Sequence, residues 1–146
     1  MSTNKKEAFA QFGVIQRNER WSWSGISNDA QTLVLTIWSD QYHWNQESRT
    51  FEWSNFSCDN ELWRHDTGNT HRIADIQYGL TKLEGRFRAI RVEPEKVLLP
   101  ERVIARVHPI AHLEWQITDF DPSTGECAGR SYAEKRLFKA AKCQNI

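Results

Sequence analysis

Hydrophobic and polar residues alternate near the start of the chain, as in half-buried β-strands. In RWSWSG, residues 20–25, Trp21 and Trp23 point to one side and the intervening serines to the other. Residues 32–38, TLVLTIW, form a β-branched and apolar run between two polar turn clusters. The pattern predicts an antiparallel hairpin built from these two segments.

The following segment, residues 40–56, carries many aromatic rings among polar residues and has no regular spacing. We interpret it as a long connection with one strand near residues 49–53, and loops of this length are often functional. Complete burial of Trp44, Trp53 and Trp63 would leave their polar neighbours unsatisfied. We therefore expect at least one of these three rings to be partly exposed, whereas Trp38 and Trp115 suit the core.

One main helix is predicted over residues 69–84. Its apolar positions recur at helical spacing, and they are Ile73, Ile76, Leu80 and Leu83. Asn69 or Thr70 can cap the first backbone N–H groups. Gly85 can end the helix in the left-handed conformation, and Gly79 indicates close packing against a strand.

The second half of the chain has the pattern of several short strands. Residues 86–92 and 101–107 are strand-like and flank a proline-bounded connection, and residues 112–120 and 125–132 form a hairpin around DPSTG. Residues 133–142 are compatible with a short C-terminal helix, and residues 1–10 with a flexible tail. Together the elements predict a single α+β domain, residues 1–146, with a curved, mostly antiparallel sheet or barrel and the main helix covering one end.

Composition restricts the partners of this domain. The 146 residues contain 19 basic and 19 acidic side chains, so any nucleic-acid site must be a local patch rather than the whole surface. Three widely spaced cysteines, Cys58, Cys127 and Cys143, argue against a disulfide framework and favour a cytoplasmic location. Because no apolar run approaches the roughly 20 residues that cross a bilayer, and no secretory signal is apparent, we expect no membrane partner.

Motifs for metal, cofactor or covalent chemistry are absent from the sequence. His108 and His112 are four residues apart, but Pro109 disfavours the continuous helix that would align them. We therefore expect no metal and no cofactor, and we favour a binding domain over an enzyme. The alternative is a small hydrolase or nucleotide-processing enzyme that uses His43, His71 or His108 with a nearby carboxylate.

Tryptophan and arginine are concentrated in different halves of the chain. Six of the seven tryptophans lie between residues 21 and 63, whereas most candidate arginines come later. Strand alternation places Arg86 and Arg88 on one face of their strand and Arg102 and Arg106 on one face of the next, which predicts a basic stripe. A base stacked on tryptophan, with its phosphate on arginine, fits this pairing. The predicted ligand-binding residues are Trp21, Trp23, Tyr42, His43, Trp44, Asn45, Trp53, Arg86, Arg88, Arg102 and Arg106.

The order of elements resembles that of the PUA-like superfamily, which includes SRA and EVE domains. The resemblance rests on the aromatic strands, the aromatic loop, the helix at GNTHRIADIQYGL, and the arginine-bearing strands that end in the DPSTG hairpin. It implies a curved barrel that holds a base, often a modified one, and therefore nucleic acid or a nucleobase-like molecule as partner. The remaining alternative is a protein interaction module with an exposed Trp and Arg surface, since both residues are enriched in interface hot spots.

Overall fold

A computed structural model describes residues 4–17, 22–56, 61, 63–94 and 104–132. This part of the chain contains two α-helices, α1 (Lys5–Gln11) and α2 (Thr67–Lys82). Its strands are β1 (Ser24–Ile26), β2 (Leu33–Trp38), β3 (Tyr42–Asn45), β4 (Thr50–Ser54), β5 (Arg86–Pro94), β6 (Ile104–Asp121) and β7 (Glu126–Ser131).

All seven strands belong to one sheet with the order β1-β2-β5-β6-β7-β4-β3. Every neighbouring pair is antiparallel except β2 and β5, which are parallel because β3, β4 and α2 form the crossover between them. The α+β class and the mostly antiparallel sheet are confirmed. Within the described ranges β1 and β3 are the two edges of the sheet, so it is open and does not form the closed barrel that was the other expectation.

Strand β2 is buried on both faces, which explains its continuous apolar sequence. Leu33 and Leu35 pack beneath α2, and we call this side of the sheet the inner face. Val34 packs with Phe9 of α1 on the opposite side, the outer face. The predicted hairpin of β1 and β2 is confirmed, with Ser24 opposite Leu35.

The longest strand, β6, joins the two halves of the sheet. Its first part pairs with β5 and its last part with β7, with register shifts near Phe87 and Ile117. Such irregularities bend a strand and increase its local twist. The sequence pattern predicted two separate strands here, but the chain continues through Pro109, which lies opposite Ile90. The DPSTG hairpin is confirmed, with Gly125 at φ 88°.

The N-terminal residues differ from the predicted flexible tail. Asn4 and Glu7 form a reciprocal capping box, in which the Glu7 N–H donates to Asn4 Oδ1 at 2.8 Å and the Asn4 N–H to Glu7 Oε1 at 3.3 Å. Ala8 and Phe9 are completely buried against the outer face. The tail prediction was therefore wrong from residue 5 onward, because a short cap signal and two apolar residues are enough to dock α1.

The aromatic segment of residues 40–56 is a hairpin, not a long connection. The predicted strand near residues 49–53 is β4, and β3 pairs with it. The ring of Tyr42 packs edge-on against Phe51 at 5.8 Å and against Trp115 at 6.1 Å between centroids. This aromatic packing on the inner face stabilises β3 against the sheet. The strand was not predicted because the polar residues of this segment are irregularly spaced in the sequence.

Helix α2 has the predicted length of 16 residues, but it begins two residues earlier and buries a different side than the apolar stripe predicted. It begins at Thr67 after the N-cap residue Asp66, and Leu80 is 42% exposed. Gly85 has φ 76°, which confirms its predicted left-handed conformation at the helix end. Residues 133–142, the predicted C-terminal helix, lie outside the part of the chain that is described.

Candidate functional site

The predicted ligand-binding residues divide between the two faces of the sheet, and Trp21 and Arg102 lie outside the described ranges. The inner face carries Tyr42, Trp44, Trp53 and Arg106, and the outer face carries His43, Asn45, Arg86 and Arg88. Trp23 immediately precedes β1. Arg86 and Arg88 therefore share a face as predicted, but they do not form a stripe with Arg106.

The inner-face tryptophans have different environments. Trp53 is only 2% exposed and packs against Phe87 at 6.0 Å between ring centroids. Its indole Nε1–H donates to Gln41 Oε1 at 3.4 Å. Trp44 is 40% exposed and meets Phe51 edge-on, with 5.0 Å between centroids. Trp53 thus offers no free ring face to a ligand, whereas Trp44 does.

The Arg88 guanidinium is engaged in contacts within the protein. Its guanidinium lies over the Phe12 ring, 5.3 Å from the centroid. Its Nε–H donates to the Leu113 carbonyl at 3.1 Å, and a second N–H donates to the Ala111 carbonyl. These carbonyls lie where β6 departs from regular pairing, so Arg88 satisfies the backbone at the irregularity.

A row of polar side chains crosses the outer face. Directly opposed positions on β3, β4, β7, β6 and β5 are occupied by His43, Glu52, Arg130, Gln116 and Arg86. We call these five residues the polar band. With neighbouring strands about 4.8 Å apart, the band is about 19 Å long. It brings two of the predicted residues, His43 and Arg86, onto one surface.

At one end of the polar band, Glu52 lies close to three polar side chains. Its Oε2 accepts hydrogen bonds from Arg130 at 3.1 Å and from Asn45 Nδ2 at 3.2 Å, and its Oε1 lies 3.6 Å from His43 Nε2. At the other end, Gln116 accepts a hydrogen bond from the Tyr132 hydroxyl at 3.1 Å. Carboxylate, amide, imidazole and guanidinium groups therefore lie side by side.

An open cavity of about 530 Å³ lies over the end of the polar band that contains Glu52. Its lining includes His43, Glu52, Arg130, Ser54, Thr118 and Asp119. Cavities of this size accommodate small organic ligands. The polar groups in the lining can hydrogen-bond the edge of a planar heterocycle.

Two pairs of histidine and carboxylate lie close together in the described part of the chain, and neither forms a hydrogen bond of normal length. His43 Nε2 lies 3.6 Å from Glu52 Oε1, and His108 Nε2 lies 3.5 Å from Glu93 Oε2. The His43 side chain is 71% exposed. Among the residues that the structure describes, no three His, Cys, Asp or Glu side chains come together as a metal site.

Sequence reasoning missed a buried polar cluster on α2. Asn69, Arg72 and Asp75 follow one another at a spacing of three residues and are all buried. Asn69 Nδ2 donates to the carbonyls of Arg64 at 3.0 Å and Thr124 at 2.8 Å, and so ties the helix start to the β6–β7 turn. The spacing was a usable signal, but the apolar stripe predicted a different buried side.

Two tryptophans enclose the arginine of this cluster. The Arg72 guanidinium carbon lies 4.9 Å from the centroid of Trp23 and 5.2 Å from that of Trp63. The two rings meet edge-on, with 6.3 Å between centroids. The RWSWSG segment thus contributes its second tryptophan to α2, while Ser22 and Ser24 are buried.

No known protein family, curated protein or solved structure matches this chain. Among the described helices, none has the length and apolar character needed to cross a membrane. The polar band, its cavity and the α2 cluster are the features of the described chain that bear on its function.

Proposed function

We propose that the outer face binds nucleic acid or a nucleobase-like ligand across the polar band. The observation that carries this proposal is the in-register row of hydrogen-bonding and cationic side chains, from His43 to Arg86, beside a cavity of ligand size. In other folds, sheet faces and grooves bind exposed bases and single strands by combining basic and polar side chains with aromatic rings that stack the bases. A PUA-like way of holding a base belongs to the same proposal, as does a cytoplasmic location.

The ends of the polar band have different roles in this proposal. Glu52 and Asn45 supply acceptor and donor groups for the edge of a base, and His43 adds a third contact. Arg130 is 53% exposed and Arg86 is exposed, so both can contact phosphate oxygens. Tyr132, which bonds Gln116, is the aromatic neighbour of the band.

The test is the salt dependence of binding to fluorescein-labelled single-stranded oligonucleotides, followed by fluorescence anisotropy. We expect the double variant Arg86→Ala and Arg130→Ala to bind more weakly. Each lost phosphate contact reduces the slope of log K against log salt by about 0.7 for a single strand. Arg106→Ala, on the inner face, is the matched control and retains the wild-type slope.

A second variant separates base contacts from phosphate contacts. Glu52→Gln keeps the size of the side chain and removes the carboxylate, so we expect altered preference among base sequences with an unchanged salt slope. Absence of binding to single-stranded, duplex and modified-base probes would overturn the proposal. An equal loss of affinity in the Arg106→Ala control would overturn the assignment to the outer face.

A further inference from the structure

Arg72 is a buried cation whose hydrogen-bonding capacity is largely unused. The residue is 6% exposed, and its one hydrogen bond within the described ranges runs from NH2 to Asn69 Oδ1 at 3.0 Å. Its Nε–H is buried and has no partner. A guanidinium carries five N–H donors, and buried donors that lack acceptors are costly to maintain.

The charge of Arg72 also lacks an anionic partner among the side chains that the structure describes. Asp75, one helical turn away, is engaged by Arg17 at 2.6 and 3.0 Å and by the Ser24 hydroxyl at 2.6 Å. Burial raises the pKa of the nearby Cys127 thiol to about 12, so this group is neutral. Burial lowers the pKa of Arg72 to about 10, which leaves it charged at neutral pH.

The start of α2 adds to the positive potential. The hydrogen bond from Arg72 to Asn69 brings the guanidinium to the first turn of this 16-residue helix. The Asp66 side chain makes no capping hydrogen bond, so the first-turn N–H groups lack their usual side-chain acceptor. A helix start favours anions because of its exposed N–H groups and its dipole.

We propose that Arg72, between Trp23 and Trp63 at the start of α2, binds the phosphate group of a small molecule. The phosphate oxygens accept from the guanidinium N–H groups that Asn69 leaves unused, and they neutralise the buried charge. Trp23 and Trp63, the two residues whose rings contact the guanidinium, are both only partly buried. This site is separate from the polar band and does not depend on the proposed function there.

The test is a titration with inorganic phosphate and, in a parallel arm, a nucleoside 5′-monophosphate, with ionic strength held constant by sodium chloride. Because Trp23 and Trp63 contact Arg72, we expect a saturable change in tryptophan fluorescence and a saturable rise in Tm. A response to inorganic phosphate identifies the free ion as sufficient. The polar band is itself proposed to take a nucleobase-like ligand, so a response to the monophosphate alone supports the Arg72 site when Arg72→Met removes it and Arg86→Ala retains it. A monophosphate response that Arg72→Met retains overturns the Arg72 site.

Arg72→Met removes the charge and keeps an unbranched side chain. We expect it to abolish both responses, while its Tm without phosphate equals or exceeds that of the wild type because no unpaired buried charge remains. Arg106→Met, an exposed arginine on the inner face, is the matched control and keeps both responses. Arg72→Lys retains the charge without the planar guanidinium, and we expect at least tenfold weaker binding, which provides a test should the methionine variant not fold.

The proposal is overturned if neither ligand gives a saturable response in the wild type, or if Arg72→Met or Arg72→Lys responds as the wild type does. The binding proposals for the two sites can be tested separately. Oligonucleotides without a terminal phosphate bind the polar band equally well in Arg72→Met, and Arg86→Ala leaves the phosphate titration unchanged.

Discussion

The two halves of helix α2 bury different chemistry against the same sheet. The part of the helix from Ile76 to the C-cap residue Leu83, which we call the C-terminal half, buries both of these side chains and carries Gly79, where a Cβ would lie 2.7 Å from Leu33 Cδ2. The part from Thr67 to Asp75, the N-terminal half, buries the polar cluster that contains Arg72 and Asp75. Apolar burial favours docking of the helix, whereas burial of an unpaired cation opposes it.

The two halves of α2 therefore separate residues that stabilise the fold from residues that are available for binding. The apolar half packs α2 on β2, whereas the polar half contains groups that a minimal core would exclude. Buried polar groups are weak evidence for stability by themselves. Variants in the two halves should therefore differ in their effects on stability and on binding.

Ile76→Ala tests the apolar half. Ile76 is completely buried in the core cluster beneath the helix, so we expect the free energy of unfolding to fall by about 2–5 kcal/mol. Urea denaturation measures the change. Leu80→Ala, at a 42% exposed position on the same helix, is the matched control and should cost less than about 1 kcal/mol. Similar losses in both variants would contradict the assigned orientation of α2.

Asp75→Ala tests whether the hydrogen bonds of the polar half stabilise the fold. The substitution removes the acceptor of Arg17 and of Ser24, and we expect a loss of about 1–3 kcal/mol. The loss is moderated because the Arg17 side chain is 45% exposed and can return to water. A double-mutant cycle with Arg17→Met, measured by urea denaturation, should give a coupling of about 1 kcal/mol. A coupling of zero would show that the ion pair contributes nothing to folding.

The pH dependence of Cys127 tests the burial of the core near Arg72, where this β7 thiol lies. Burial raises the pKa of this thiol from 9.0 to about 12. As the pH rises through the range between these values, the unfolded chain releases the proton while the native protein keeps it, so stability falls. Between about pH 8 and about pH 10 we expect the wild type to lose about 1 kcal/mol more than Cys127→Ala.

Urea denaturation of both proteins at the two pH values measures this difference. Cys58 and Cys143 are present in both proteins, so their ionisation cancels in the comparison. Identical pH dependence in the two proteins would show that the surroundings of Cys127 are more polar than its burial indicates.

Much of the strand pattern could be predicted, because local alternation determines which side chains share a face. Phe87 and Ala89 lie on one face of β5 and Arg86 and Arg88 on the other, as the sequence indicated. Trp115 is completely buried, also as predicted. These properties depend on neighbours two residues apart, which are visible in the sequence.

The candidate sites were harder to predict, because each combines distant segments. His43 and Arg86 share the polar band only because β4, β7 and β6 lie between them in the sheet. The buried side of α2 was predicted incorrectly for the same reason. Asn69 and Arg72 are buried because Trp23, Trp63 and the β6–β7 turn surround the start of α2, and no local pattern encodes those partners.

By itself, the sequence determined the α+β class, the β1–β2 and β6–β7 hairpins, the left-handed conformation of Gly85 and the side chains that share a face of β5. It did so because φ preferences, side-chain alternation and turn chemistry act over a few residues. Only the tertiary structure decided that the described strands form an open sheet, that Arg86 and Arg106 lie on opposite faces, and that Trp23 encloses Arg72. Those outcomes depend on strand order and on the packing of α2, which are set by contacts between residues far apart in the chain.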